Sequence, residues 1–286
     1  MAFLRMKRAL PEHNCLMRIV TRSSSFAYVE AYKALRTNLN YVAQSGDVKS
    51  KVIMITSSTP AEGKSNVSVN LSISLAQEGK KVILLDCDLR KGTLHRYLRV
   101  PGLVGITSFL AGKTSLEECI SHIDEAGIDL LPVGALPTNP SELLGGEPMA
   151  QLLSQLAEMY DYVLCDTPPV NAVTDAVALS RYVDGVVLVV SHQQVSRGSA
   201  LAAKKQLESN NVPILGAILN MYDVRKASDD AQKVYSYYNY GYGYGYGYGE
   251  EVSAQGGEKN ASKPTEGKKH RDNTHGEGKR PHGKQA

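Results

Sequence analysis

The segment SSTPAEGKSN, Ser57 to Asn66, follows the apolar run KVIMIT and leads into an amphipathic stretch. Against the P-loop pattern G-x-x-x-x-G-K-[ST] it keeps Gly63, Lys64 and Ser65, and it carries Ser58 where the first glycine falls. Between a strand and a helix such a loop handles phosphate. Backbone N–H groups at the helix N-terminus cradle the oxygens, the lysine reaches the terminal phosphates, and the serine hydroxyl is offered to Mg2+. Ser58, Thr59, Pro60, Ala61, Glu62, Gly63, Lys64, Ser65 and Asn66 are therefore the candidate nucleotide loop. Two later apolar runs end in carboxylates. LLDCDLR places Asp86 and Asp88 at its carboxyl end, with Arg90 beyond, and alternate residues of a strand point the same way. The plain alternative for that pair is a solvated acidic turn. YVLCDTPP places Asp166 one residue past its apolar stretch, where a carboxylate can hold the waters around Mg2+. Three acids at two strand ends, joined to a G-K-S loop, point to a magnesium nucleotide.

A second chemical feature lies far downstream. YSYYNYGYGYGYGYG, Tyr235 to Gly249, holds eight of the chain's sixteen tyrosines in fifteen positions, with five glycines and no charge. Three readings stay open on composition. The alternation has the period of a strand, although Gly at every second position leaves one face bare. Polar-aromatic low-complexity sequence also self-associates. In the third reading, glycine spacers present one tyrosine hydroxyl after another to an active site.

The elements that must position these groups follow from apolar periodicity. Within 286 residues, the runs Lys51 to Thr56, Lys81 to Asp86, Ile128 to Gly134, Tyr162 to Asp166, Gly185 to Ser191 and Pro213 to Asn220 read as fully buried parallel strands. Helical segments at Asn66 to Glu78, Ser141 to Met159 and Ser199 to Ser209 lie between several of them. This alternation predicts an α/β fold, a mostly parallel sheet with helices on both faces, and ligands beyond the carboxyl ends of its strands. Glu250 to Ala286 is built from Gly, Lys, Glu, His and Pro and cannot bury enough apolar surface to offset its ordering entropy. The expected organisation is an N-terminal extension over 1–25, a nucleotide-binding domain over 26–234, the tyrosine cluster over 235–249 and a disordered hydrophilic tail over 250–286. A formal charge of +3 is too small to point to nucleic acid. No run approaches the ~18 apolar residues of a membrane span. The basic start MAFLRMKRALPEHN lacks a secretory apolar region, and the four cysteines show no C-x-x-C spacing. The chain reads as cytosolic.

TPAEGKS, ILLDCDLR and YVLCDTPP resemble the Walker A, Walker A′ and Walker B motifs of the bacterial tyrosine kinases, P-loop proteins related to the MinD/ParA ATPases. The resemblance extends to EAYKALRTNL, GLVGITSFLAG, LPTNPSELL and the tyrosine cluster, and it is nearest to the stand-alone kinases of capsule and exopolysaccharide loci. It implies ATP and Mg2+ as cofactors, with Lys64 on the β- and γ-phosphates and Ser65, Asp88 and Asp166 serving the metal. Asp86 is implied as the base or orienter for the tyrosine hydroxyl, beside Lys64 and Asp88 as catalytic residues. Asn220 falls where the group reads adenine, though capping a strand end is its plain alternative. The family's oligomerisation motif E-x-x-R-x-x-R appears as Glu30, Lys33 and Arg36, and Lys33 cannot make the bidentate fork of arginine. The three also fit a surface helix with ordinary ion pairs. Thr59 stands where MinD/ParA switches carry a second lysine.

What the resemblance implies is an ATP-dependent tyrosine autokinase that controls polysaccharide synthesis and export. Its acceptors would be Tyr235, Tyr237, Tyr238, Tyr240, Tyr242, Tyr244, Tyr246 and Tyr248, phosphorylated in a neighbouring subunit of a homo-oligomeric ring, with an octamer as one stoichiometry. A membrane-spanning co-polymerase or adaptor would activate the kinase and recruit it to the inner face of the membrane, and a cognate tyrosine phosphatase would oppose it. The other class to weigh is a nucleotide-switched ATPase that binds a membrane partner and uses the tyrosines as an interaction tract.

Overall fold

A computed structural model describes residues 19–21, 23–43, 51–192 and 195–222. The tyrosine cluster and the segment after it, with most of the N-terminal extension, lie outside the described residues.

Seven strands form one sheet in the order β3-β4-β2-β5-β1-β6-β7, namely Ser121–Ile123, Ile128–Leu131, Val82–Asp86, Tyr162–Asp166, Lys51–Ser57, Gly185–Ser191 and Ile214–Asn220. All pairings are parallel except the one between β3 and β4. Alternation along each strand feeds two apolar layers. Val52 and Met54 of β1 enter one, with Ile83, Leu85, Val163 and Cys165, while Ile53 and Ile55 enter the other, with Leu84 and Leu164. Helices cover both. Helix α7 (Glu147–Met159) buries Met149, Leu152, Leu153 and Leu156, an i, i+3, i+4, i+7 stripe, against the first layer together with α8 (Asp175–Ser180) and α9 (Arg197–Ser209). Helices α1 (Phe26–Ala43) and α2 (Lys64–Ala76) cover the second.

Helix α2 has a sequence, VSVNLSISL, that alternates like a strand, yet it is helical and buried at every position from Val67 to Leu75. It lies between the sheet and α1, so both of its sides are covered. Its polar residues are satisfied within that sandwich: Ser72 donates to the Ser68 carbonyl at 2.8 Å and Ser74 to the Tyr32 carbonyl at 3.2 Å.

Three expectations change. The run Pro213 to Asn220 is an edge strand whose residues are half-buried or exposed, because β6 pairs with only one of its sides and α1 touches it lightly. The helix expected over Ser141 to Met159 is two, α6 (Pro140–Leu144) and α7, broken at Gly145-Gly146. A Cβ at Gly145 would lie 3.2 Å from both Ala178 Cβ and the Ser141 carbonyl, so the break lets α6 pack closely on α8. Third, β3 was not expected. It is three residues long and turns into β4 through Gly127 at φ +65°.

Short helices α3 (Leu94–Tyr97), α4 (Ile106–Leu110) and α5 (Leu116–Cys119) fill the connection between β2 and β3. Among the described residues no helix is long and apolar enough to cross a membrane.

Candidate active site

The carboxyl ends of β1, β2 and β5 converge on one face, and the phosphate loop, Asp86, Asp88 and Asp166 are built around them. The loop from Ser58 to Gly63 joins β1 to α2. Ala61 and Gly63 take left-handed backbone, φ +66° and +83°, in the loop that leads into α2. For Ala61 that conformation costs about 1–2 kcal/mol, which the surrounding fold must hold. At Gly63 a Cβ would come within 2.2 Å of Asn220 Nδ2, so a side chain there must displace Asn220 as well as bear the left-handed backbone. Helix α2 begins at Lys64, so its positive end faces the loop.

The loop is held from beneath by Glu62. Its carboxylate is buried; Oε1 accepts from Ser58 Oγ at 2.7 Å, from Thr59 N at 2.5 Å and from Thr59 Oγ1 at 3.0 Å, and Oε2 accepts from Ser191 N at the end of β6 at 2.9 Å. Sequence reasoning placed Glu62 among the ligand contacts; the structure turns its carboxylate inward, where it ties the loop to β6. Asn220, the last residue of β7, donates to the Glu62 carbonyl at 2.8 Å. Asn66 faces α1 instead, accepting from the hydroxyls of Tyr28 at 3.3 Å and Tyr32 at 3.4 Å.

Lys64 Nζ sits 3.6 Å from Asp88 Oδ2, 3.7 Å from Asp166 Oδ2 and 3.1 Å from Ser65 Oγ. Burial alone would lower the lysine's pKa, but the charges of Asp166, Asp88 and Asp86 outweigh it and hold the ammonium above its ordinary value. Asp166 is fully buried, which pushes its carboxyl up; Lys64, Ser65 and Ser68 oppose the shift, and Ser68 Oγ donates to Oδ1 at 3.0 Å. Asp86 is also buried. Burial first, then the neighbouring Asp166 charge, raise it to about 7, against the opposing hydrogen bond from Leu94 N to Oδ2 at 3.0 Å. Asp86 Oδ1 and Asp166 Oδ2 are buried and have no hydrogen-bond partner among the described residues.

Those two bare oxygens test the fit of a magnesium nucleotide. No group of three His, Cys, Asp or Glu side chains suited to a metal by itself occurs among the described residues. Mg2+ keeps several waters and shares its ligands with substrate phosphates, so it needs no full cage of protein ligands. Ser65, Asp88 and Asp166 would hold it, directly or through water, and Lys64 with the loop amides would hold the phosphates.

Residues 48–250 match the ParA family, described as NUBPL iron-transfer P-loop NTPase. The tyrosine-protein kinase YwqD of Bacillus subtilis is 40% identical over 209 residues, which cover 73% of this chain and 85% of that protein. The chain belongs to the bacterial tyrosine kinases. The tyrosine-protein kinase Etk of Escherichia coli K12 is 38% identical over 209 residues, 73% of this chain, but these span only 28% of Etk. The solved kinase domain of E. coli Etk superposes with a TM-score of 0.68 at 35% identity, covering 77% of this chain and 86% of that one. The chimerical protein CapA2B2 gives 0.64 at 34% identity, covering 68% and 84%. MinD of Pyrococcus horikoshii, solved with Mg-ADP, gives 0.54 at 26%, covering 65% and 77%. Within this tyrosine kinase, the Walker A, A′ and B segments are the loop, the β2 end and the β5 end described above.

The residues expected to mediate oligomerisation lie on α1, away from this centre. Lys33 pairs with Glu30 at 2.7 Å and both are half-buried. Arg36 is directed at the C-terminal end of α2, donating to the Ser74 carbonyl at 2.8 Å with Glu78 at 3.7 Å. Sequence reasoning missed the inward role of Glu62, the support from Ser68, and an Arg90–Asp175 pair joined by two 2.9 Å hydrogen bonds. Arg90 stands two residues past Asp88, the one signal for it in the sequence.

Proposed function

We propose that this chain is an ATP-dependent protein-tyrosine kinase whose acceptors are its own tyrosines, Tyr235 to Tyr248, offered to the sites of neighbouring copies. The observation that carries the reading is Asp86: a buried carboxyl with one oxygen held by Leu94 and the other bare, beside the Lys64, Asp88 and Asp166 group. A tyrosine hydroxyl has pKa ≈ 10 and is nearly all neutral at pH 7. A carboxylate raised to about 7 is a far better acceptor for that proton than an ordinary one.

Each residue then has a defined task. Lys64 and the amides at the start of α2 bind and orient the terminal phosphates, and phosphoryl transfer needs that alignment more than covalent help. Asp86 Oδ1 accepts the hydroxyl proton, while the Leu94 amide keeps Oδ2 in place. Magnesium, when bound, supplies charge neutralisation on the phosphate oxygens. Asn220, beside the loop, serves the adenine end of the nucleotide.

The wider setting rests on family membership. Copies assemble into a ring through Glu30, Lys33 and Arg36. A membrane-spanning co-polymerase or adaptor activates the kinase and holds it at the inner membrane face, and a cognate phosphatase resets it. The output is control of capsular or exopolysaccharide synthesis and export. Purified chain incubated with Mg-ATP should accumulate phosphotyrosine that mass spectrometry places within Tyr235 to Tyr248. ATP hydrolysis without phosphotyrosine would overturn this reading in favour of a nucleotide-switched ATPase.

A further inference from the structure

The segment LPTNPSELL and the turn into α8 meet at a buried carboxylate that the catalytic scheme does not use. Asp175, the first residue of α8, has no exposed surface and accepts three hydrogen bonds. Arg90 Nε reaches Oδ2 and Nη2 reaches Oδ1, each at 2.9 Å, a bidentate fork. Ser141 Oγ, from α6, donates to Oδ1 at 2.6 Å and also lies 3.0 Å from Thr174 Oγ1.

Arg90 stands two residues after Asp88, in the turn that leaves β2. That turn is closed by Lys91 N, which donates to the Asp88 carbonyl at 3.1 Å and to Asp88 Oδ1 at 3.2 Å. Asp88 Oδ2 faces Lys64. A chain of direct contacts therefore runs from α6 and α8 through Arg90 to the acid proposed to serve the metal. The fork fixes both position and orientation of the guanidinium, which a single contact would not do.

We infer that Asp175, with Ser141, is a positioning residue for the magnesium side of the nucleotide site, acting through Arg90 to hold the Asp88 turn. The inference rests on the reading of Asp88 as a metal-serving acid. It concerns binding before transfer, so it stands apart from the question of which hydroxyl is phosphorylated.

The test is a double-mutant cycle on the full chain with Arg90→Gln, Asp175→Asn and the double variant, using ADP as the probe with and without Mg2+. Each single variant should lose about tenfold in ADP affinity when Mg2+ is present and less than twofold when it is absent. The double variant should lose no more than either single one, because both act through one contact. In the metal-free chain, amide exchange at Asp88 to Lys91 should quicken in Arg90→Gln. Wild-type Mg-ADP affinity in Arg90→Gln, or losses that multiply in the double variant, would overturn the inference. Should Asp175→Asn fail to fold, Ser141→Ala with Arg90→Gln decides the matter by the same magnesium-dependent loss. Phosphotyrosine is scored separately: wild type that binds Mg-ADP but forms none sinks the kinase reading and leaves this cycle intact.

Discussion

Asp86 and Asp166 stand directly opposite one another as the last residues of the paired strands β2 and β5, and both are buried. Parallel register brings the two carboxyls together, and Lys64 approaches Asp166 at 3.7 Å without a hydrogen bond to Asp86. Burial raises the Asp86 carboxyl first, and the like charge of Asp166 on the adjacent strand raises it further.

Replacing Asp86 should stabilise the chain while removing its activity. The carboxyl lies at about 7 in the fold against 3.8 in the unfolded chain, so between those values the folded state holds a proton that the unfolded state releases. Its contribution to stability is full below about pH 4, falls through the window up to about 7, and stays lost above it. The whole displacement corresponds to on the order of 4 kcal/mol. Asp86→Asn should therefore melt higher than wild type at pH 8, show a clearly smaller gain at pH 5, and yield no phosphotyrosine at either pH. Equal gains at both values would separate the effect from ionisation.

Lys64 has an opposite balance. Its ammonium is mostly buried among three acids, so Lys64→Met removes a phosphate ligand and also leaves Asp88 and Asp166 without their cation. Loss of phosphotyrosine should be complete. Thermal unfolding at pH 8 should report a cost of about 1–3 kcal/mol that shrinks as pH falls and Asp166, its carboxyl raised by burial, takes up a proton. A variant as stable as wild type at pH 8 would mean that the lysine supports no charge balance there.

How far this site could be read in advance depended on where each residue sits along the chain. Gly63, Lys64, Ser65, Asp86, Asp88 and Asp166 were legible because an apolar strand ends immediately before each group, and strand ends in a parallel sheet point to the ligand side. Glu62 was legible as a loop residue but not as a strut, since its direction depends on Ser191, which is 129 positions away. The Arg90–Asp175 fork spans 85 positions and left no local pattern. The apolar run of β7 matches the buried strands in composition, and its edge position follows only from the strand order. The broken helix at Gly145-Gly146 had its signal in plain view, two adjacent glycines before Pro148, while the i, i+3, i+4 stripe masked it.

Glu62→Gln provides a sharp test of the strut. Each carboxylate oxygen accepts hydrogen bonds, three on Oε1 and one on Oε2, so an amide must turn its NH2 toward one set of donors. Expected are a loss of about 1–3 kcal/mol in stability and weaker binding of ADP even without Mg2+, because the loop itself loosens. Calorimetry and thermal melts on one sample check both. Unchanged metal-free affinity would show that the phosphate loop holds its shape without the strut.

Transfer between copies can be separated from transfer within one chain by mixing. A chain with Lys64→Met keeps its acceptors but lacks a working site. A chain with all eight cluster tyrosines changed to Phe keeps its site but has no acceptor there. Phosphate should appear on the Lys64→Met chain only when the two are combined, since assembly supplies the effective concentration that dilute collision lacks. Lys33→Glu on the second chain sets a repulsive charge beside Glu30 on α1, so it should shift light scattering toward monomer and suppress transfer. Lys33 is preferable to Arg36 for this test, because Arg36 is bonded to α2 within the same chain and its loss would disturb the fold. Each phosphate adds about −1.5 to −2 charges, and eight add roughly −12 to −16 to a chain of formal charge +3. Wild type in Mg-ATP should therefore drift toward smaller assemblies as phosphate accumulates, while the eight-Phe chain stays assembled. An unphosphorylated mixture, beside wild type that reacts at the same rate at every dilution, would place transfer within a single chain and remove the ring from the mechanism.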